Sequence, residues 1–321
     1  MARIRDVAEH AGVSTATVSR VLNGKTVRPD LAEAVWKSVQ EMSYSPNRTA
    51  RSLRRRSSDV VALIIPDVEN PFFTSVARGV EDVCRKAGYS VVLCNTDDDA
   101  EQERKYVKIA ADENMVGLII APATADVSLG SFERDGRGVV VLDRHVKADV
   151  DQITFDNVAL GRHAARRLVD RGYTSIACIT GPERIETARA RADGWREVLD
   201  QAGLVSEGRL RYANFHVNGG RDALAELLDG DDPPEAIVAT NNLLGVGVLQ
   251  VLAERGLSGH VGVAVIGDLP FATSRPDDVD LVSLNPRDMG LSAAQMMLER
   301  IAGDDKPARV HTLVQGKPVA Q

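Results

Sequence analysis

From position 59 onward the chain repeats one pattern: a short apolar run rich in β-branched residues, then a helix-length segment that mixes polar and apolar positions. VVALIIP (60–66), YSVVLCN (89–95), VGLIIAP (116–122) and GVVVLDR (138–144) form a first set. ITFDN (153–157), SIACITG (175–181), EAIVATN (235–241) and VGVAVIGD (261–268) form a second, and LVSLN (281–285) precedes a last helix near 287–302. Runs this short and this uniformly apolar predict parallel strands buried on both faces, with helices as crossovers. A single sheet for about 250 residues would need ten or more strands, so two α/β lobes fit better. Ligands then belong at strand C-terminal ends, facing the cleft between lobes.

The first 58 residues follow a different period. Val7, Ala8 and Ala11 share one helical face, Gly12-Val13-Ser14 interrupts it, and Val18, Val21 and Leu22 resume it over 15–22. That is helix, tight turn, helix, with Gly12 supplying the turn and Ser14 placed to cap the second helix. Asn23-Gly24 ends that helix, and Pro29 opens a third on which Leu31, Val35, Val39 and Met42 point to the same small core, with Trp36 expected to help cover it. Residues 45–58, SPNRTARSLRRRSS, hold five arginines with Ala50 and Leu53 as the only apolar side chains beyond Pro46, too few to bury a core.

Charge sharpens this division. The 321 residues carry a net charge of −7, yet residues 1–58 hold 11 Lys/Arg against 5 Asp/Glu, while the remainder holds 28 against 41. A basic head on an acidic body points to nucleic acid, because cationic side chains displace counterions from phosphates. With 44% apolar and 26% charged residues the composition is that of a globular protein, not a disordered or disulfide-stapled one. No apolar run reaches the roughly 18 residues that span a bilayer, and MARIRDVAEH is no secretory signal, so a cytoplasmic protein is expected. Cys84, Cys94 and Cys178 show no paired spacing and read as reduced core thiols.

Enzyme signatures are missing. There is no GxxxxGK[ST] loop, no G-x-S-x-G elbow and no G-x-G-x-x-G after a strand, and the six histidines lack metal-ligand spacing. Neither catalysis, a metal nor a cofactor is expected. Asp97, Asp98 and Asp99 with Glu101 and Glu103 lack the glycine and ligand periodicity of a calcium loop, and read as a solvated helix start favoured by the dipole.

RDVAEHAGVSTATVSRVLNG, followed by YSPNRTA at 44–50, closely resembles the helix-turn-helix and hinge of the lactose-repressor (LacI) family, and the strand-helix remainder resembles its sugar-sensing body. The likeness spans the whole chain. It implies a helix-turn-helix DNA-binding domain at 1–45, a hinge at 46–58, and at 59–321 an effector-binding and dimerisation domain of two lobes like periplasmic sugar-binding proteins. By that resemblance Thr15, Ala16 and Arg20 stand where the recognition helix meets base edges. Arg20 can bind guanine O6 and N7, Ala16 or the Thr15 methyl can touch a thymine methyl, and Ser14, Thr17 and Ser19 can hold phosphates. In the hinge, which includes Asn47, Leu53 matches the family's wedging leucine, expected to enter the minor groove with Ala50 and Arg54 alongside.

In the body, the resemblance puts Asn70, Phe72, Phe73, Asp143, Arg144, Thr187, Arg191, Phe215, Asn241 and Asp268 around a sugar. Rings stack on its C–H face, while carboxylate, guanidinium and amide groups meet its hydroxyls. Three departures stand out. Arg28 replaces the usual Ser or Thr cap before the proline. Asn241-Asn242 replaces Asn-Asp. The 267–290 stretch is about two residues short, so Asp268 is offered as the ligand aspartate although Leu269 is the ungapped match.

The resulting expectation is a homodimeric regulator, in all an α/β protein with a small all-α head, that binds double-stranded operator DNA as a repressor and answers to a small sugar or nucleoside. The chain lacks a leucine heptad tail, so a tail-built tetramer is not expected. A transporter-type sugar-binding protein would explain the body alone, and a sugar or nucleoside hydrolase could use the same scaffold. The basic head and the missing signatures speak against both.

Overall fold

The computed structural model describes residues 2–22, 25–44, 58–130, 132, 137–269 and 279–313. The chain divides into two compact units, 1–58 and 59–321. In the first, α1 (Ile4–His10), α2 (Thr15–Leu22) and α3 (Pro29–Glu41) close on Val7, Ala8, Val18, Val21 and Val35. Gly12 takes φ +64°, the left-handed turn between α1 and α2. Ser14 Oγ then accepts from the Thr17 N–H at 3.1 Å, capping α2.

Arg28 provides no cap for α3, and its guanidinium instead binds Asp30, Nε to Oδ1 at 3.1 Å. The fixed φ of Pro29 at the first helical position starts the helix without it. Trp36 does not cover the core: it is 50% exposed. One residue beyond Val35 it is turned about 100° around the helix, away from the packed face. Asn23-Gly24 and the hinge positions Asn47, Ala50, Leu53 and Arg54 lie outside the described residues.

The second unit contains two all-parallel sheets. The first, in the order β11-β5-β4-β3-β1-β2, is built from β1 (Val60–Ile65), β2 (Ser90–Asn95), β3 (Gly117–Ile120), β4 (Gly138–Leu142), β5 (Asp151–Phe155) and β11 (Val310–Leu313). The second, β10-β9-β8-β6-β7, contains β6 (Ile176–Thr180), β7 (Leu210–Tyr212), β8 (Ala236–Ala239), β9 (Gly262–Ile266) and β10 (Val279–Val282). Around them lie α4 (Pro71–Lys86), α5 (Ala100–Asp112), α6 (Asn157–Asp170), α7 (Glu186–Ala202), α8 (Val217–Leu228), α9 (Asn242–Glu254) and α10 (Pro286–Ile301). Val61 to Ile65 of β1 and all of β3, β4, β6 and β8 are buried, and each Val, Leu or Ile among them contributes about 1.5–3 kcal/mol. The sheets are the rigid part of each lobe.

Pairing departs from the expected grouping. The run expected at 153–157 is β5 at Asp151–Phe155, and it pairs with β4, so it belongs to the first sheet. The last helix, α10, also returns to the first lobe, packing on α4, and delivers β11 to β5. Buried parallel strands look alike in sequence, so apolar pattern could not say which sheet each joins. The chain therefore crosses between lobes at 156–157 and again at 283–285. Strands β7 and β11, three and four residues long with partly exposed side chains, were not expected.

Cys84 and Cys178 are buried thiols, and burial pushes that of Cys84 up to about 11. Cys94 is the exception: it is only partly buried, on the sheet-edge strand β2. Among the described residues no helix is long and apolar enough to cross a membrane.

The return into the first lobe is pinned by a buried carboxylate. Asp151 accepts from Arg300 at 2.7 and 2.9 Å and from Arg309, whose backbone N–H and Nη2 lie at 2.8 and 3.0 Å. Burial raises its pKa, but the arginine hydrogen bonds win and hold it down at about 2. A depressed carboxyl pKa stabilises the fold above the unfolded value of about 3.9, and this is lost as pH falls from there through about 2. Asp151→Asn should therefore lower the urea unfolding free energy at pH 7 by about 2 kcal/mol. The gap to the unaltered protein should shrink below pH 4; a gap unchanged at pH 2.5 would contradict this assignment.

Candidate functional site

Strand ends of both sheets converge on one cleft of about 400 Å³. From the first lobe, β1 leads through Asp67 to Asn70, which caps α4 by accepting from Phe72 N–H at 3.0 Å. The ring of Phe72 then lies edge-on to Phe73 and Phe155, at 5.0 and 6.3 Å between centroids. β2 leads to Asp97 and Asp98, and β4 to Asp143, with φ of +53°, +56° and +67°. Only five described non-glycine residues take positive φ, so three of them line this cleft. That conformation costs roughly 1 kcal/mol per residue and is easiest for Asp and Asn, so the local strain gathers where the carboxylates are aimed.

Asp143 and Arg144 are both buried. Burial pushes the Asp143 carboxyl up, opposed by Arg144 and by Arg191 from the other lobe. Arg144 Nη1 donates to Asp98 Oδ1 at 2.6 Å and to the Pro122 carbonyl at 2.8 Å. Its Nε is buried without a hydrogen-bond partner, 3.8 Å from Asp143 Oδ2.

The second lobe supplies Arg191 from α7, with Thr187 one turn earlier on the same face. Arg191 Nε donates to Asn157 Oδ1 at 2.9 Å, at the first lobe crossing, and Nη1 to the Thr240 carbonyl at 2.8 Å. Burial pulls its pKa down, and Asp143 opposes that. The helix can come this close because Gly161 of α6 faces it: a Cβ there would stand 2.0 Å from the Arg191 carbonyl oxygen. At Gly181, after β6, a Cβ would stand 2.1 Å from the Phe215 ring, so its absence admits that ring. Asn241 caps α9, accepting from Leu244 N–H at 2.8 Å, and its amide nitrogen donates to the Phe215 carbonyl at 3.3 Å.

Among the described residues three polar contacts join the lobes beside the cleft. Asn242 Nδ2 donates to Asn70 Oδ1 at 3.3 Å. Glu186 accepts from His145 N–H at 3.1 Å, and its other oxygen lies 2.8 Å from His145 Nδ1. His216 Nδ1 lies 3.8 Å from Asp67.

Asn70, Phe72, Phe73, Asp143, Arg144, Thr187, Arg191, Phe215, Asn241 and Asp268 all line this cleft. Phe73 also belongs to the lobe core, and much of Asn241 is engaged in capping. Asp268 lines the cleft while Leu269 packs on the second lobe's core; residues 270–278 lie outside the described ones. Asn242 accounts for the missing acid: its amide donates to Asn70, which a carboxylate could not do. Sequence reading missed Asp67, Asp97, Asp98, Arg184 and His216. The acidic run is only in part a solvated helix start. Asp99 caps α5, but Asp98 binds Arg144, and buried Glu103 accepts from Ala123 N–H at 2.6 Å. In the first unit, Thr15, Ala16 and Arg20 are exposed on α2, Ser19 is half-buried, and the hydroxyls of Ser14 and Thr17 bond each other at 2.9 Å.

Residues 3–47 match the family described as bacterial regulatory proteins, lacI family, and residues 58–315 match periplasmic binding proteins and sugar binding domain of LacI family. The ribose operon repressor of Halalkalibacterium halodurans is 33% identical over 94% of this chain and 91% of its own length. Among solved structures, a complex of the transcriptional regulator CelR with cellobiose is 28% identical, covering 98% of this chain and 97% of its own, with a TM-score of 0.73. The Lac repressor dimer bound to operator and the anti-inducer ONPF shares the fold, with a TM-score of 0.86 at 22% identity over 98% of this chain and 96% of its own.

The α6–α7 approach has a direct test. Gly161→Ala should destabilise the protein by about 1–3 kcal/mol in urea unfolding, since a methyl there meets backbone that cannot turn aside. Unchanged stability would mean the two helices are free to part.

Proposed function

The chain belongs to the LacI family of bacterial regulatory proteins, and on that premise we propose that it is a sequence-specific DNA-binding repressor governed by a small sugar or nucleoside held between its two lobes. One observation supports the effector site above others. Asp143 and Arg191 come from different lobes, are both buried and line the same cleft. Buried charges answered only in part are costly, and ligand hydroxyls can accept from the guanidinium and donate to the carboxylate. Such a ligand stabilises the lobe geometry in which both reach it, and it shifts operator affinity only by its differential affinity for the two geometries.

In this reading residues 1–45 are the DNA-binding head, 46–58 the hinge and 59–321 the effector and dimer domain. α2 is the recognition helix: Thr15, Ala16 and Arg20 read bases, and Ser14, Thr17 and Ser19 hold phosphates. Asn47, Ala50, Leu53 and Arg54 serve the hinge contacts. The protein works in the cytoplasm and turns nothing over, in keeping with a relative named as a repressor.

Two heads on one palindromic operator require a dimer. The outer edge of the first sheet suits that role: Val92 and Leu93 of β2 are 41% and 39% exposed, and Ile109 of α5 is 49% exposed. An apolar open edge is a surface that pairs unless covered.

Arg20→Ala and Arg191→Ala should separate the two activities. In fluorescence-anisotropy titrations on the operator, Arg20→Ala should weaken binding by about 1–3 kcal/mol and leave the calorimetric sugar titration unchanged. Arg191→Ala should do the reverse; loss of both activities in either variant would count against separate sites. Leu93→Lys should give a monomer in sedimentation velocity and weaken operator binding on the order of 100-fold, since the second head is no longer linked to the first. A persisting dimer would remove β2 from the interface.

A further inference from the structure

The charge of the cleft narrows what it can hold. Among the described residues five aspartates line it, Asp67, Asp97, Asp98, Asp143 and Asp268, against three arginines and one histidine. Two of those arginines are committed in part to the protein itself: Arg144 to Asp98 and the Pro122 carbonyl, Arg191 to Asn157 and the Thr240 carbonyl. The third, Arg184, is exposed. Four of the five carboxylates stand on the first-lobe wall, and Asp97 and Asp98 are held there in adjacent left-handed conformations. An anion in this cleft would face more negative than positive charge at short range.

Most of the usual receptors for a phosphate are also taken. Helix N-termini bind anions through free backbone N–H groups; of those that begin at or beside the cleft, α8, which follows His216, has neither a side-chain cap nor an acid in its first turn, whereas four others are closed or carry an acid. The start of α4 is closed by the Asn70 side chain and by Pro71, which has no N–H. That of α9 is closed by the side chains of Asn241 and Asn242, which accept from Leu244 and Leu243. α10 opens with Pro286 and carries Asp288 in its first turn. α7 carries the Glu186 carboxylate in its own first turn. What remains is a wall of acceptors and a few donors, with the rings of Phe72 and Phe215 as apolar surface.

We infer that the effector is an uncharged, polyhydroxylated molecule, a free sugar, and that the cleft discriminates against its phosphate esters. Hydroxyls donate to the carboxylates and accept from Arg191, whereas a phosphate offers acceptors to a surface already rich in them. This rests on the effector reading above and narrows it.

The test pairs each sugar with its ester in isothermal titration of the full-length protein: D-ribose with ribose 5-phosphate, D-glucose with glucose 6-phosphate, D-galactose with galactose 1-phosphate, D-fructose with fructose 1-phosphate. For whichever pair binds, the free sugar should bind on the order of 100-fold more tightly than its ester. The double variant Asp97→Asn/Asp98→Asn keeps residues that tolerate the left-handed backbone while removing two negative charges. It should narrow that gap by at least about tenfold, chiefly by tightening the ester. An ester that binds as well as its sugar, or a gap that the double variant leaves unchanged, overturns the charge argument while the effector reading stands. Silence from every sugar and ester alike overturns the effector reading and this inference with it.

Discussion

A charge taken out of water must be answered, and this protein buries Asp143 and Arg191 where each is answered only in part. Burial raises the pKa of the carboxyl and lowers that of the guanidinium, and each opposes the shift in the other. Contrast Asp151, equally buried but ringed by Arg300 and Arg309, whose pKa falls to about 2. One carboxylate is a finished structural clamp. The other retains hydrogen-bonding capacity directed at a cleft, in a backbone conformation that the chain would otherwise avoid. The difference between a buried carboxylate answered in full and one answered in part is visible in these two side chains.

That arrangement depends on close backbone approach elsewhere. Arg191 is where it is because α6 and α7 touch through Gly161 and Gly194, each facing a backbone carbonyl of the other helix at about 2 Å from where a Cβ would sit. Asn157 Oδ1, at the first crossing between lobes, then accepts a hydrogen bond from Arg191 Nε. The residue that holds the guanidinium in place is thus also the residue at which the chain changes lobe. Arg191 is tied to the first lobe crossing both by this hydrogen bond and by the α6–α7 backbone contact.

Much of this was legible in the residues. Alternation of β-branched runs with helix-length segments located most strands, because burial on both faces leaves so little choice of side chain. It could not assign β5, α10 and β11 to the first lobe, since partner strands leave no mark on a uniformly apolar run. The ten residues expected around a sugar line one cleft, but they came from resemblance; periodicity alone supplied only the rule that strand ends carry ligands. Applied to β2, that rule would have found Asp97 and Asp98 as well. They were passed over because an acidic stretch before a helix has a simpler explanation in the dipole, and that explanation holds for Asp99 and Glu101 but not for Asp98. Trp36 failed for a geometric reason, one residue of rotation past Val35.

Buried apolar side chains of both lobes belong to one continuous cluster, and beside the cleft the lobes also meet through a few polar contacts. The Asn70–Asn242 bond is a neutral hydrogen bond, worth about 0.5–1.5 kcal/mol. The His145–Glu186 pair is nearly half exposed, which keeps it to about 1 kcal/mol or less. A ligand at a hundred times its dissociation constant supplies about 2.7 kcal/mol to the state that binds it. Any one of these contacts is therefore weaker than occupancy. Among the described residues the chain passes between the lobes at 156–157 and 283–285. Segments 143–145 and 186–191 both line the cleft and carry the His145–Glu186 contact between the lobes, so a change at the cleft wall is also a change at that contact.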